Sequence, residues 1–129
     1  MAKTARQMVE EATLLIPAVT PQEAHSRVTA GNVVLLDVRE PTEWETHIAG
    51  ALQIPRGILE AKADPTSPRH DPALDPGKQV IVYCRSGARS ALAAVTLTEL
   101  GFTDVVNLAG GITAWKEAGL PTDDMHADI

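Results

Sequence analysis

Cysteine is almost absent, with Cys84 the only one in 129 residues. A lone thiol cannot close an intrachain disulfide, so a secreted disulfide framework is excluded and the fold must rest on its core. Aromatic residues are equally scarce, at 3%, which leaves Val, Leu, Ile and Ala to build that core. Long apolar runs are missing as well. Residues 9–16 are interrupted by Glu10, Glu11 and Thr13 and stop at Pro17, so they make neither a signal peptide nor the ~20 residues a bilayer span needs. Positive charge is in deficit, and a net charge of −6 argues against nucleic acid as a partner. The expectation is a soluble cytoplasmic protein with no membrane contact.

What is present is ordinary for a globular chain, and the length suits one compact domain, 1–129. Its core is expected over about 16–121, with an N-terminal helix before it and a frayed polar tail, 122–129, after it. That helix reads over 4–15, with Met8, Ala12 and Leu15 on one face. Residues 16–19 read as extended. Thr20-Pro21-Gln22-Glu23 predicts a helix start, with Thr20 as N-cap and Glu23 closing a capping box; Gly31 supplies the left-handed end. Val33-Val34-Leu35-Leu36 and Val80-Ile81-Val82 are continuous apolar runs, as strands buried on both faces require. Between them, 40–47 and 57–63 read as short helices, 52–54 as a short strand, and 64–77, with its four prolines, as a surface loop. A helix from the Cys84 loop to Leu100, a strand over 104–108 and a helix from Gly110 to Ala118 complete the pattern. Strands alternating with helices predict an α/β fold: a central, mostly parallel sheet with helices on both faces.

In such sheets, sites form beyond the carboxyl ends of strands. Two strands end in charged or reactive residues: Leu36 runs into Asp37-Val38-Arg39, and Tyr83 runs into Cys84. A cysteine between a buried strand and a helix N-terminus meets backbone N–H groups that have no partner in the helix. Those groups, the helix dipole, Arg85 and Arg89 all favour thiolate over thiol. Ser86, Gly87 and Ala88 are small enough for the loop to curl around the sulfur. The product is an anion cradle around a nucleophile.

The stretch Cys84-Arg85-Ser86-Gly87-Ala88-Arg89-Ser90 resembles the active-site loop of the rhodanese family. Asp37-Val38-Arg39-Glu40 resembles the family's first signature. His47-Ile48-Ala49-Gly50-Ala51 followed by Ile54-Pro55 resembles its second, and Gly110-Gly111-Ile112-Thr113-Ala114-Trp115 its last. These four stretches occur in the family's order and reach across roughly 19–120. The resemblance implies a single rhodanese-like domain that works as a thiosulfate sulfurtransferase without metal or cofactor. Cys84 attacks the outer sulfur of a donor such as thiosulfate, and the resulting persulfide passes its sulfur to cyanide, a small thiol or a protein. Residues 85–90 form the substrate-binding loop, with Arg85 and Arg89 attracting an anionic donor, and Asp37 and Arg39 brace the site. The chain departs from the family in Thr46 and Ala49, where Gly and Pro are common, and in the length of 64–77.

Plainer readings stand beside these. Cys84 could be a small buried hydrophobe, and Asp37 and Arg39 could serve an ion pair with Glu40 or Glu43. His47 is read as ordering the loop that leads to Gly50, and Trp44 and Trp115 as packing. His25, His70 and His126 show no metal-ligand spacing. A persulfide carrier or protein-interaction module with little small-molecule turnover is the main rival. A phosphatase or arsenate reductase is less favoured, because those loops place Arg six residues after the cysteine, where this chain has Ser90.

Overall fold

The computed structural model describes residues 2–125. Thr4 caps the first helix, α1 (Ala5–Leu15), in a reciprocal box with Gln7. Of the three residues assigned to its inner face, only Ala12 is buried; Met8 and Leu15 are exposed, because α1 packs chiefly on one neighbour, α4 (Ala88–Glu99). After β1 (Ala18–Val19), α2 (Pro21–Ala30) begins as expected, with Thr20 Oγ1 accepting from the Glu23 amide at 3.1 Å. Its capping box is not completed. The Glu23 carboxylate instead takes Arg27 one turn on, at 3.1 Å, since an opposite charge at i+4 outcompetes a backbone amide for it.

Strands β2 (Val33–Asp37), β4 (Leu52–Gln53), β5 (Gln79–Tyr83) and β6 (Val105–Leu108) join β1 in a wholly parallel sheet of order β1-β6-β5-β2-β4. The continuous apolar runs are its two central strands, paired from Val33↔Gln79 to Asp37↔Tyr83. Each face has its own core. One gathers Val80, Val82 and Leu36 under α4 and the short α3 (Leu59–Ala63). The other gathers Leu35, Ile81 and Tyr83 under α2 and α5 (Gly111–Glu117), with Trp115 the largest buried side chain. Helices therefore cover both faces, as the alternation of elements predicts.

Two segments differ from expectation. Residues 40–47 do not form a helix: a single 3-10 turn, Pro41–Glu43, leads into β3 (Thr46–Ile48). Glu40 and Glu43 form a capping box, the Glu40 amide donating to Glu43, but the turn they open stops there because 46–48 is drawn into strand pairing. The tail is also not frayed at its start. Thr122–Asp124 is β7, antiparallel to β3 with Thr46↔Asp124 and Ile48↔Thr122. The partner it needs is the strand hidden in the misread 40–47 segment. The rest of the expected tail, including His126, lies outside the described residues.

The proline-rich segment is a surface loop of unusual order. Asp64, Ser67, Asp71 and Asp75 each accept an amide two residues on, so side-chain turns replace the ladder bonds that proline cannot supply. Leu74 drops from this loop into the core and is 0% exposed. Leu74→Ala should therefore destabilise the fold by about 2–5 kcal/mol, as core truncations do. Denaturant unfolding measures it, and a cost typical of a surface loop would contradict this anchoring.

Candidate active site

Cys84 is the first residue beyond β5, and Val80, Val82 and Cys84 share one face of that strand by its two-residue period. The sulfur thereby points beneath the start of α4. That helix opens at Gly87, whose φ of +116° suits glycine and whose absent side chain offers no cap. The sulfur takes the place of the cap. Sγ accepts from the Gly87 amide at 3.2 Å and the Ser90 amide at 3.4 Å, and the Ser90 hydroxyl lies 3.3 Å away. Burial, with Cys84 only 2% exposed, pushes the thiol pKa up. The Ser90 hydroxyl and the amides of Ser90, Gly87 and Ser86 outweigh that and bring it below the ordinary thiol value. The plain reading of a small buried hydrophobe does not account for these donors.

The loop is held from outside by α5. The amides of Ile112 and Thr113 donate to the carbonyls of Cys84 and Arg85 at 3.0 and 3.2 Å. With its carbonyls turned towards α5, the loop is left with its amides facing the sulfur. Gly111 permits this approach: it has φ +60°, and a Cβ there would overlap the Arg85 and Cys84 carbonyl oxygens.

Behind the loop, Asp37 and Arg39 pair with each other, not with Glu40 or Glu43. Arg39 Nε and Nη2 grip the Asp37 carboxylate at 3.0 and 2.8 Å, and the two residues are 5% and 0% exposed. Residues two apart at the end of a strand can close this fork because the backbone turns between them, with the Arg39 amide also donating to Asp37. Tyr83 donates to Asp37 and accepts from the Ile48 amide, while Arg39 reaches the carbonyls of Glu43 and Thr46. The pair thus ties β2 to the 43–48 segment. It has no hydrogen bond to Cys84, so bracing is the role its geometry allows.

The two loop arginines diverge. Arg89 turns to Glu43, at 2.6 and 2.9 Å, and this bidentate clasp holds the Glu43 carboxylate down at about 2. Acidification to pH 4 therefore leaves the clasp closed. Arg85 is exposed and borders a cleft of about 570 Å³ with Thr46, Thr113 and Lys116. The backbone amides of Ser86, Gly87 and Ser90 face the sulfur, and Ala88 begins α4. Tyr83 and Asn107 are not marked as site residues by the sequence, which offers Glu43 only as a partner for the Asp37–Arg39 pair and not for Arg89. Asn107 accepts from the Ser90 hydroxyl at 2.7 Å and donates to the Gly87 carbonyl at 3.1 Å. Its one sequence signal is a polar residue within Val105-Val106-Asn107-Leu108. Of the described histidines, His25 packs edge-on against Trp115, and His47 and His70 bond the carbonyls of Trp44 and Leu74.

The rhodanese-like domain model matches residues 20–118. The chain belongs to the rhodanese-like family. It is 34% identical to the probable adenylyltransferase/sulfurtransferase MoeZ of Mycobacterium tuberculosis over 110 residues, 84% of this chain and 26% of that protein. This rhodanese domain thus spans about a quarter of that relative. It is 38% identical to a sulfurtransferase of Allochromatium vinosum, across 70% of this chain and 78% of that one. Among solved structures, a Rhodopseudomonas palustris protein of unknown function, described as a possible tyrosine phosphatase, superposes with a TM-score of 0.87. The two are 35% identical, over 95% of this chain and 96% of that one. No described helix is long and apolar enough to cross a membrane.

Gly111→Ala tests the clamp from α5. The added methyl should displace the Cys84–Arg85 carbonyls, at about 1–3 kcal/mol for the strained backbone alone. It should also raise the Cys84 pKa towards that of a free thiol. Both are measurable, by thermal unfolding and by the pH dependence of thiol alkylation; a fully folded variant with an unchanged thiol pKa would refute the clamp.

Proposed function

We propose that this rhodanese domain is a sulfurtransferase that carries sulfane sulfur as a persulfide on Cys84. The Cys84 thiolate attacks the outer sulfur of thiosulfate, the S–S bond breaks, and sulfite leaves with the electron pair. A thiophilic acceptor, cyanide or a thiol on a small molecule or protein, then attacks the terminal sulfur, and the Cys84 thiolate departs. The observation that carries this reading is the convergence of backbone amides on Sγ at the start of α4. Such amides stabilise an anion at a fixed place without reorganising, which serves the thiolate and the terminal sulfur of the persulfide alike. A reducing compartment such as the cytoplasm fits, because a lone thiol must stay reduced between cycles.

The Glu43–Arg89 clasp favours a second reading, a persulfide carrier that serves a protein acceptor and turns over small anions slowly. With Arg89 neutralised, Arg85 is left to attract a dianion. Phosphoryl chemistry fits less well. A tetrahedral oxyanion needs a guanidinium directed at its oxygens, and Arg89 is instead held by Glu43.

Incubation with thiosulfate should add one sulfur to the intact mass, and cyanide or dithiothreitol should remove it. Cys84→Ser should add none; equal loading of that variant would end this reading. Glu43→Gln opens the clasp without removing a cation. It should lower the KM for thiosulfate several-fold, most at low ionic strength, where exposed charges act furthest. Steady-state kinetics at two salt concentrations decide it, and an unchanged KM would mean that Arg89 plays no part in donor capture.

A further inference from the structure

Strand β6 alternates its side chains between the two cores. Val106 and Leu108 face α2 and α5, and Val105 faces α4. Asn107 shares the face of Val105 and so reaches the first turn of α4. Its backbone is fixed between two neighbours, opposite Ala18 of β1 and Val82 of β5. The orientation of its amide is set as well. Nδ2 donates to the Gly87 carbonyl at 3.1 Å, so Oδ1 is the atom that meets Ser90 Oγ at 2.7 Å. Ser90 Oγ is in turn 3.3 Å from Cys84 Sγ.

A serine hydroxyl has one proton to give. While Ser90 gives it to Asn107, its oxygen can only accept from Cys84, and what it accepts is the S–H of the neutral thiol. When the sulfur is a thiolate there is no S–H to accept, and Asn107 Oδ1 and the sulfur compete for the same proton. We propose that Asn107 is a positioning residue that acts on Cys84 through Ser90. It holds the serine proton away from the neutral thiol and yields it to the sulfur by rotation of the hydroxyl when the thiolate forms. No proton passes along the chain; the thiol proton leaves to solvent and the Ser90 hydroxyl turns about its Cβ–Oγ bond. The idea rests on Cys84 as the sulfur-bearing nucleophile and adds how its charge is controlled.

The charged groups around this region are Arg85 in the loop, Arg89 on α4 with Glu43 and Glu40 opposite it, and the Asp37–Arg39 pair beyond Tyr83. The substitutions that test the proposal alter none of them. Asn107→Leu removes the acceptor while keeping similar bulk, and the Gly87 carbonyl retains the Ala91 amide at 3.1 Å. The Ser90 hydroxyl then has the sulfur as its partner in both protonation states. The apparent Cys84 pKa, read from the pH dependence of iodoacetamide alkylation, should fall by about one unit, the worth of one redirected hydrogen bond. In a Ser90→Ala background the same substitution should produce no further shift. An equal fall in both backgrounds would overturn the proposal, because Asn107 would then act on the loop without Ser90. So would a rise in Asn107→Leu alone, which would mean that Asn107 supports the thiolate.

Should Asn107→Leu not fold, the unaltered side chain still reports. The Asn107 side-chain amide resonances should titrate with Cys84, and that titration should vanish in Ser90→Ala; its survival would overturn the proposal. Alkylation detects the thiolate whether or not sulfur is moved. A protein that shows the Ser90-dependent shift yet loads no sulfur from thiosulfate would therefore sink the functional reading and leave the role of Asn107 standing.

Discussion

The first turn of α4 carries backbone N–H groups that no side-chain oxygen caps, and the sulfur of Cys84 is the acceptor within their reach. A helix N-terminus left in this condition is unstable and electropositive, and both deficits are relieved by an anion. Burial works in the opposite direction, since a thiolate loses water's solvation there. The donors win because there are several of them and their positions are fixed in advance. The thiol and the helix start are thus one structural unit: what stabilises the fold at this point is what lowers the thiol pKa.

Such a unit works only if the loop cannot relax, and two devices prevent that. On one side, α5 lacks a side-chain cap of its own and uses the Cys84 and Arg85 carbonyls instead, so two uncapped helices meet at one loop. On the other, the Asp37–Arg39 pair is buried, and removing two charges from water is unfavourable unless their bonds are complete. They are complete here: the carboxylate takes the guanidinium, an amide and the Tyr83 hydroxyl, and the guanidinium takes two further carbonyls. This arrangement fixes where β2 and β5 end and hence where Cys84 begins. The arginine that the sequence places beside the site does its work through geometry, not through contact with the sulfur.

The sheet was legible in the sequence because Val33-Val34-Leu35-Leu36 and Val80-Ile81-Val82 are apolar without a break, and only strands buried on both faces use such runs. The surroundings of Cys84 were legible for a related reason: a side chain at a strand-to-helix turn lies where helix-start amides lack partners. What remained hidden depended on partner choice. Glu43 could have served Arg39 or Arg89, Glu23 could have faced the Thr20 amide or Arg27, and pattern alone does not rank such neighbours. Residues 46–48 and 122–124 are short polar strands that are stable only as a pair, so neither is visible until the other is. Asn107 was silent because a single polar residue in an apolar strand has many explanations until its two partners are in place.

The depth of the sulfur bears on how the proposed chemistry would divide its labour. Cys84 is only 2% exposed, so its sulfur lies deep in the loop, in a chain without a second cysteine to resolve an oxidised thiol. A persulfide would set its outer sulfur about 2 Å beyond Sγ, the length of an S–S bond. Depth at Sγ therefore need not mean depth at the atom to be transferred. The inner sulfur can remain under the α4 amides while the outer one is offered to an acceptor. The cleft that Arg85 borders is uneven in charge, with Arg85, Lys116 and Glu117 on the loop and α5 side and Glu45 beside the clasped Glu43 on the other. An acceptor approaching through that cleft meets both signs, which penalises a simple anion and suits a partner carrying complementary charges of its own. Loading and unloading would then be selected by different features of one site, Arg85 for the donor and the mixed cleft for the acceptor.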